Sequence, residues 1–348
     1  MKRSRRRRAR RIVLYSLGVY LALQLLGNLA LETRAIGLRD PEYADRLARI
    51  QRQVFTQPAR PLWVALGSSR TQMGLCPSAM IRDGNDSTHD PLVMNFGLAG
   101  AGPVQQLLTF ERLIADGVRP SRMLIEVLPA FFHNDNPPEK LVAVSRLSYR
   151  DLGRLSGYWH DESTVRRDWW LRRLSPFSMV RFVLVSRLVP GWLPFRDRQD
   201  YLWMGVDAFG WYAYPQATIE DTERESRTLK ALADYAPNWH DYQISPGPDR
   251  ALRTLLDRCQ ALNIPVTLYR MPESPRFRRT PPPEFAVCSH KYLNTMMAEY
   301  HIDLIDAQDW IADDRAFVDG HHLLSGSARE FSVHLADRLR AIGTSAPN

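Results

Sequence analysis

Residues Ile12 to Leu31, IVLYSLGVYLALQLLGNLAL, run for twenty positions without a charge, and this stretch limits what the chain can fold into more than any other. A helix rises about 1.5 Å per residue, so a run of this length matches the ~30 Å hydrocarbon core of a bilayer. Lys2, Arg3, Arg5, Arg6, Arg7, Arg8, Arg10 and Arg11 stand directly before it, with no acid among them. A basic cluster on one flank keeps that flank in the cytoplasm and sends the rest across. We read an uncleaved signal-anchor with the bulk of the chain on the extracytoplasmic side of a cytoplasmic (inner) membrane. A cleaved signal peptide competes with this reading, but the run exceeds a usual signal core and no clear A-x-A site closes it. A buried helix of a soluble domain is the third reading, and it gives the basic leader no purpose.

The leader also accounts for the whole formal net charge of +8. What remains is neutral, so the sequence pI of 9.6 says little about the folded part. A nucleic-acid partner is not expected, because a nucleic-acid binder carries its positive charge on the folded domain. Cys76, Cys259 and Cys288 form an odd set that allows at most one internal bridge, and no pair has metal-ligand spacing.

Five segments organise the chain. Residues 1–11 are the basic leader, 12–31 the anchor and 32–60 a charged stalk with an amphipathic stretch near Tyr43 to Val54. Residues 61–345 read as an α/β domain, interrupted at about 137–247 by an insertion. Within the domain, PLWVALG (61–67), PLVMNFGLAG (91–100), SRMLIEVLP (121–129), IPVTLYRMP (264–272) and IDLIDA (302–307) are short apolar runs suited to buried strands. Helices are expected over Pro103–Asp116, Asp249–Leu262, Pro282–Tyr300 and Ser327–Ile342, the first two amphipathic. Strand–helix alternation predicts a parallel sheet with helices on both faces, and a ligand site beyond the carboxyl ends of the strands.

The insertion does not follow this alternation. Trp159, Trp169, Trp170, Trp192, Trp203, Trp211 and Trp239 lie in or near it. The plain reading is a cap subdomain with an aromatic core; the sharper one is a groove lined by flat rings. Ser175 to Phe195 is apolar, but Arg181 and Arg187 near its middle are too costly at bilayer depth for a second span. A buried cap helix is expected there, with a helix lying on the membrane surface as the alternative.

Three segments at strand ends could carry chemistry. Gly67-Ser68-Ser69 follows the first strand, Gly97-Leu98-Ala99-Gly100 follows the second, and Asp319-Gly320-His321-His322 stands before the last helix. A serine hydroxyl is a poor nucleophile at neutral pH and needs a base. A loop can set an Asp three residues before a His so that the carboxylate holds one ring nitrogen and leaves the other free. An oxyanion needs backbone N–H donors at a tight turn. Each segment also has an ordinary reading: a helix N-cap, a strand-to-helix turn and a solvated loop. His240-Asp241 reads as an exposed loop and Cys76 as a packed thiol. Arg70 reads either as a surface residue or as a holder of an anionic or acyl-donor group. No metal is expected at Asp319, His321 and His322, because adjacent histidines on one loop tend to point apart.

In the chain order Ser, Gly, Asp, His, these segments resemble the SGNH (GDSL-like) hydrolase superfamily, whose fold is a flavodoxin-like three-layer α/β/α sandwich with a parallel sheet. The resemblance covers roughly residues 60 to 136 and 260 to 340. It implies that Ser69 is the nucleophile, with Ser68 in place of the family's Asp. It also implies that Gly100, with the N–H of Ser69, is an oxyanion donor, that Asp319 and His322 complete a catalytic triad, and that His321 is a spacer. The family's third block usually reads Gly-x-Asn-Asp. Here the third strand ends EVLPAFFHNDN, so Ala130 stands where the Asn is expected, and Asn134 is the candidate substitute. Gly-Ser-Ser and a proline-ended strand are similar to membrane-anchored relatives that act in lipoteichoic-acid D-alanylation or O-acetylate exopolysaccharides such as alginate. The implied partners are an acyl donor, an envelope glycan or lipid acceptor and a polytopic membrane acyltransferase, with no cofactor. Three functions stay open: O-acylation of an envelope polysaccharide through acyl-Ser69, ester hydrolysis on a glycan or lipid, and a non-catalytic envelope binding protein.

Overall fold

A computed structural model of the chain describes residues 2–81, 90–133 and 142–344. Its helices in chain order are α1 (Lys2–Thr33), α2 (Ile36–Arg39), α3 (Pro41–Thr56), α4 (Ser69–Gly74), α5 (Pro103–Ala115), α6 (Tyr149–Arg154), α7 (Glu162–Arg173), α8 (Pro176–Leu188), α9 (Asp221–Tyr235), α10 (Pro246–Ala261), α11 (Pro275–Arg279), α12 (Pro283–Tyr300) and α13 (Ser325–Thr344). The strands are β1 (Leu62–Gly67), β2 (Leu92–Gly97), β3 (Arg122–Glu126), β4 (Val266–Arg270) and β5 (Asp303–Asp306). They form one sheet in the order β2-β1-β3-β4-β5, and every pairing is parallel. The chain is therefore α/β, with its five expected strands formed.

Register explains the apolar runs. Ala65, Val93, Leu124, Tyr269 and Ile305 share one face, where they pack with Phe331, Leu335 and Leu339 of α13. The alternate positions Val64, Leu66, Met94, Phe96, Ile125 and Leu268 are also buried, and α5 packs against α10. A parallel sheet is covered on both faces because its crossover helices must lie over them, which is why the strands read as continuous apolar runs. α5 begins at Gly102-Pro103, where the missing N–H of proline is lost without cost in the first helical turn.

The chain divides into two compact units. The smaller holds residues 1–45, 143–154 and 161–204. In it α1 is long and apolar enough to cross a membrane, and its apolar window is unburied. Glu32 at the end of α1 takes Arg173 Nη2 at 2.7 Å, and Arg39 Nη1 donates to Leu31 O at 2.6 Å. Trp169 Nε1 donates to Leu147 O at 3.0 Å.

The larger unit holds residues 46–142, 155–160 and 205–348, among them the sheet. Part of the stretch read as a stalk belongs to this unit: Arg46 is buried and donates to Gly210 O at 2.7 Å, and Arg49 donates to Asp207 O at 2.9 Å. Gly210 has φ +91°, and a Cβ there would stand 2.1 Å from Asn95 O, so this loop is pressed onto β2.

Of the insertion, residues 143–154 and 161–204 fall in the smaller unit and 155–160 and 205–247 in the larger. Trp159, Trp169, Trp211 and Trp239 are buried, whereas Trp170 and Trp192 are exposed. The expectation of a buried helix near Ser175 to Phe195 is corrected in part. α8 buries Pro176, Val180 and Val183 but leaves Phe177 and Leu188 to solvent, because its apolar residues run around the whole helix and the small unit covers only one side.

Phe331 is fully buried between α13 and the sheet. Phe331→Ala is expected to lower stability by about 3–5 kcal/mol, read from the denaturation midpoint of the detergent-solubilised chain. A shift below about 1 kcal/mol would contradict this packing.

Candidate active site

The site begins at the end of β1. Ser68 is the N-cap of α4, and its Oγ accepts from Arg70 N at 3.2 Å. Ser69 is therefore the first helical residue, and its N–H has no intrahelical acceptor. The helix-cap reading applies to Ser68, which leaves the hydroxyl of Ser69 free of that role.

Beneath this turn lies Glu126, the last residue of β3 and fully buried. Its carboxylate accepts from Ser68 N at 2.6 Å, from Ser68 Oγ at 3.0 Å and from Thr71 Oγ1 at 2.6 Å. Thr71 Oγ1 also lies 2.6 Å from Tyr269 Oη. Only glycines fit around this cluster. A Cβ on Gly67 would stand 2.0 Å from Thr71 Oγ1 and 2.4 Å from Glu126 Oε2, and one on Gly97 would stand 2.4 Å from Gln72 N. Asn95 ties β2 to α4: its Nδ2 donates to Thr71 O and Leu75 O at 2.8 and 2.7 Å, while its Oδ1 accepts from Gly97 N at 2.8 Å.

The second half comes from the loop before α13. Phe317 and Leu323 form a bridge that closes the loop, and Val318 N donates to His322 O at 2.8 Å. Gly320 has φ +87°, the left-handed region that favours glycine, and its carbonyl accepts from Ser274 N at 2.8 Å. Asp319 Oδ1 accepts from His322 N at 3.0 Å and Asp319 Oδ2 lies 2.8 Å from His322 Nδ1. His322 Nε2 lies 2.7 Å from Ser69 Oγ.

Burial alone would raise the Asp319 carboxyl. His322, by charge and hydrogen bond, with His321 and the His322 backbone N–H, outweighs it and holds Asp319 well below the usual carboxylate range. An ionised Asp319 requires the proton on His322 Nδ1, which leaves Nε2 as acceptor for the Ser69 hydroxyl. The structure thus brings Ser69, His322 and Asp319 into one hydrogen-bonded chain at the carboxyl edge of the sheet, beside the β1–β3 boundary where the strand order reverses. Gly100 lies in the turn after β2 with φ +73°, half-exposed, and its N–H has no acceptor among the described residues. Ala130 is buried in the turn Pro129–Phe132, where it offers no side-chain donor. Asn134 lies outside the described residues.

Two expectations are corrected here. Arg70 neither faces solvent nor lies open to a ligand: it is buried, pairs with Glu273 Oε1 at 2.5 Å, and sits 5.4 Å from the ring centroids of both Tyr235 and Phe277. His321 and His322 do not diverge. Their ring centroids are 4.0 Å apart, because His321 is buried against Tyr235 and Phe277. Asp319, His321 and His322 consequently present ligand atoms within 4.8 Å of one another, but both His322 nitrogens are already engaged by Asp319 and Ser69. His240 and Asp241 are exposed, and Cys76 is a buried free thiol.

Sequence reasoning passed over Glu126, Asn95 and Glu273. The available signal was a charged residue inside an apolar run, IEVLP, where burial demands hydrogen-bond partners. No known protein family matches the chain, and comparison with curated proteins finds no match.

Glu126→Gln replaces an acceptor for three donors with a group that is itself half donor. It is expected to cost about 2–4 kcal/mol in denaturant titration; an unchanged midpoint would contradict the role given to Glu126. His321 is pushed well below the ordinary histidine range by burial and by His322 and Arg70, against the pull of Asp319. The unfolded chain gains this proton below about pH 6.5 while the folded chain does not, so stability falls as pH drops through that value. His321→Phe, which keeps a ring in the stack, is expected to flatten that fall between about pH 7 and pH 5; an unaltered slope would show that His321 does not cause it.

Proposed function

We propose that this chain is a membrane-anchored serine acyl-transfer enzyme of SGNH-like fold that O-acylates an exported or envelope polysaccharide. The observation that carries the reading is the continuous hydrogen-bonded chain from Asp319 through His322 to Ser69. The strand order 2-1-3-4-5 is that of flavodoxin-like sheets, which supports the fold assignment. The basic leader before α1 supports an orientation with the N-terminus in the cytoplasm and the larger unit on the extracytoplasmic side.

Ser69 Oγ attacks the carbonyl carbon of an acyl donor while His322 Nε2 takes the hydroxyl proton, and Asp319 stabilises the imidazolium. The N–H groups of Ser69 and Gly100 receive the oxyanion. The tetrahedral intermediate collapses, the donor's leaving oxygen takes the proton from Nε2, and acyl-Ser69 remains. An acceptor hydroxyl then gives its proton to Nε2 and attacks the acyl carbon. Ser69 Oγ leaves and recovers the proton, and one ester is exchanged for another.

Ester hydrolysis is the second reading, favoured by the partial exposure of Asp319 and His322, which lets water serve as the acceptor. A non-catalytic binding role gives the geometry around Ser69 no use.

A fluorophosphonate probe is expected to label the wild-type chain, with Ser69→Ala unlabelled and His322→Ala labelled roughly a thousandfold more slowly. With p-nitrophenyl acetate and an added oligosaccharide, acetyl transfer to sugar supports the transferase and acetate release alone supports the hydrolase. A folded wild-type chain that takes no probe would leave the binding role.

A further inference from the structure

The smaller unit carries apolar surface that the fold does not use. At the corner between α7 and α8, Leu174 is 68% and Phe177 64% exposed, beside exposed Trp170 and Leu171. Leu188, the last residue of α8, is exposed, and past it Trp192 is 82% and Phe195 90% exposed. In the larger unit the exposed large apolar residues, Phe55, Leu229 and Val333 among them, are spread over separate elements, which is ordinary for a protein surface. Rings and leucines exposed at both ends of one short helix are not.

Its position points to the occupant. The corner is fastened to the last turns of α1: Asn28 Nδ2 donates to Arg173 O at 2.8 Å, and a Cβ on Gly27 would stand 3.1 Å from Pro176 Cγ. Leu31 closes the apolar run of α1, and Gly27 precedes it by four residues, or about 6 Å along a helix axis. A bilayer that covers α1 up to Leu31 therefore reaches the level of Leu174 and Phe177. That depth is typical of interfacial helices, which sit about 5–10 Å into the headgroup–acyl boundary. Charge fits the same surface. From Arg166 to Arg196 seven arginines face one acid, Asp168. Arg167, Arg172, Arg187 and Arg196 are exposed, while Arg173 is held by Glu32. Trp and Phe rings with arginines beside them are the composition of an interfacial segment, whose apolar body enters the headgroup boundary while its charges meet anionic lipid. α8 itself spans only about 20 Å at helical rise and contains Arg181, so it is too short and too charged to cross.

We infer that the α7–α8 corner and the 192–195 turn form a second, interfacial membrane contact, seated on the anionic lipid surface of the leaflet where the Leu31 end of α1 emerges. The inference rests on α1 spanning the bilayer. The unit is then held by a span and by a flat apolar foot beside it, so that rotation about the α1 axis is restricted.

The test uses the full chain with Cys288→Ser, which leaves only the buried Cys76 and Cys259, in phosphatidylcholine–phosphatidylglycerol vesicles that contain no other protein. An environment-sensitive nitrobenzoxadiazole label is placed at Leu174→Cys, Phe195→Cys or Leu21→Cys, all exposed positions where no packed side chain is displaced. Nitroxide lipids carry the quencher near the carbonyl or deep in the acyl chain. Labels at 174 and 195 are expected to blue-shift on reconstitution and to lose fluorescence chiefly to the shallow quencher, and the label at 21 chiefly to the deep one. If 21 is quenched while 174 and 195 stay water-exposed, the foot is overturned and the anchor stands. Shielding of 174 and 195 in native membranes but not in vesicles would assign the surface to a protein instead and overturn the lipid assignment. If 21 escapes quenching too, the span itself fails and the inference fails with it.

Discussion

The buried carboxylate of Glu126 is the interaction on which the candidate site depends. It is the one group that satisfies Ser68 N–H, the Ser68 hydroxyl and the Thr71 hydroxyl at once, and so it sets the path of the chain as β1 becomes α4. A buried carboxylate is tolerated where donors surround it, and these donors come from the turn that carries Ser69. Gly67 and Gly97 follow from the same constraint, since a side chain at either position would occupy the space of the carboxylate's partners or of the α4 backbone. With the turn fixed, the Ser69 hydroxyl faces the loop before α13, where Asp319 holds His322 by side chain and backbone together.

The strands were legible because a sheet buried on both faces writes itself as uninterrupted apolar runs, and the runs at 61–67 and 264–272 became Leu62–Gly67 and Val266–Arg270. The Gly67-Ser68-Ser69 and Asp319–His322 segments could be picked out because small or turn-forming residues mark them at a strand end and a loop, while the choice of Ser69 over Ser68 and of His322 over His321 came from the family resemblance. The support beneath them was less visible. Glu126 and Asn95 lie within or at the end of strands and look like interruptions of an apolar pattern until their partners are seen. Arg70 showed the same difficulty in reverse: its charge argued for solvent or a ligand, whereas Glu273, which pairs with it, is more than two hundred positions away in the chain. Pairings of that kind have no local signature. Nor did aromatic content separate core from surface in the insertion. Trp169 and Trp170 are neighbours, yet one is buried with its N–H on Leu147 O and the other faces outward.

The two compact units divide the tasks proposed for the chain. One carries the long apolar helix and the aromatic, arginine-rich surface beside it, which suit a bilayer and its interface. The other carries the parallel sheet and the Ser69–His322–Asp319 chain, which suit acyl transfer. An enzyme that modifies a polymer as it is exported benefits from being held at the membrane, because a tether raises the local concentration of acceptor and of a donor delivered there.

The most direct measurement is the location of the covalent intermediate. The wild-type chain would be mixed with a short-chain activated ester, quenched in acid before turnover completes, digested, and mapped by mass spectrometry. The account predicts one acyl group, carried by Ser69, that accumulates in the wild type and is lost in folded His322→Ala. An acyl group on Ser68, or a folded wild-type chain that turns over the ester with no acylated serine, would contradict it.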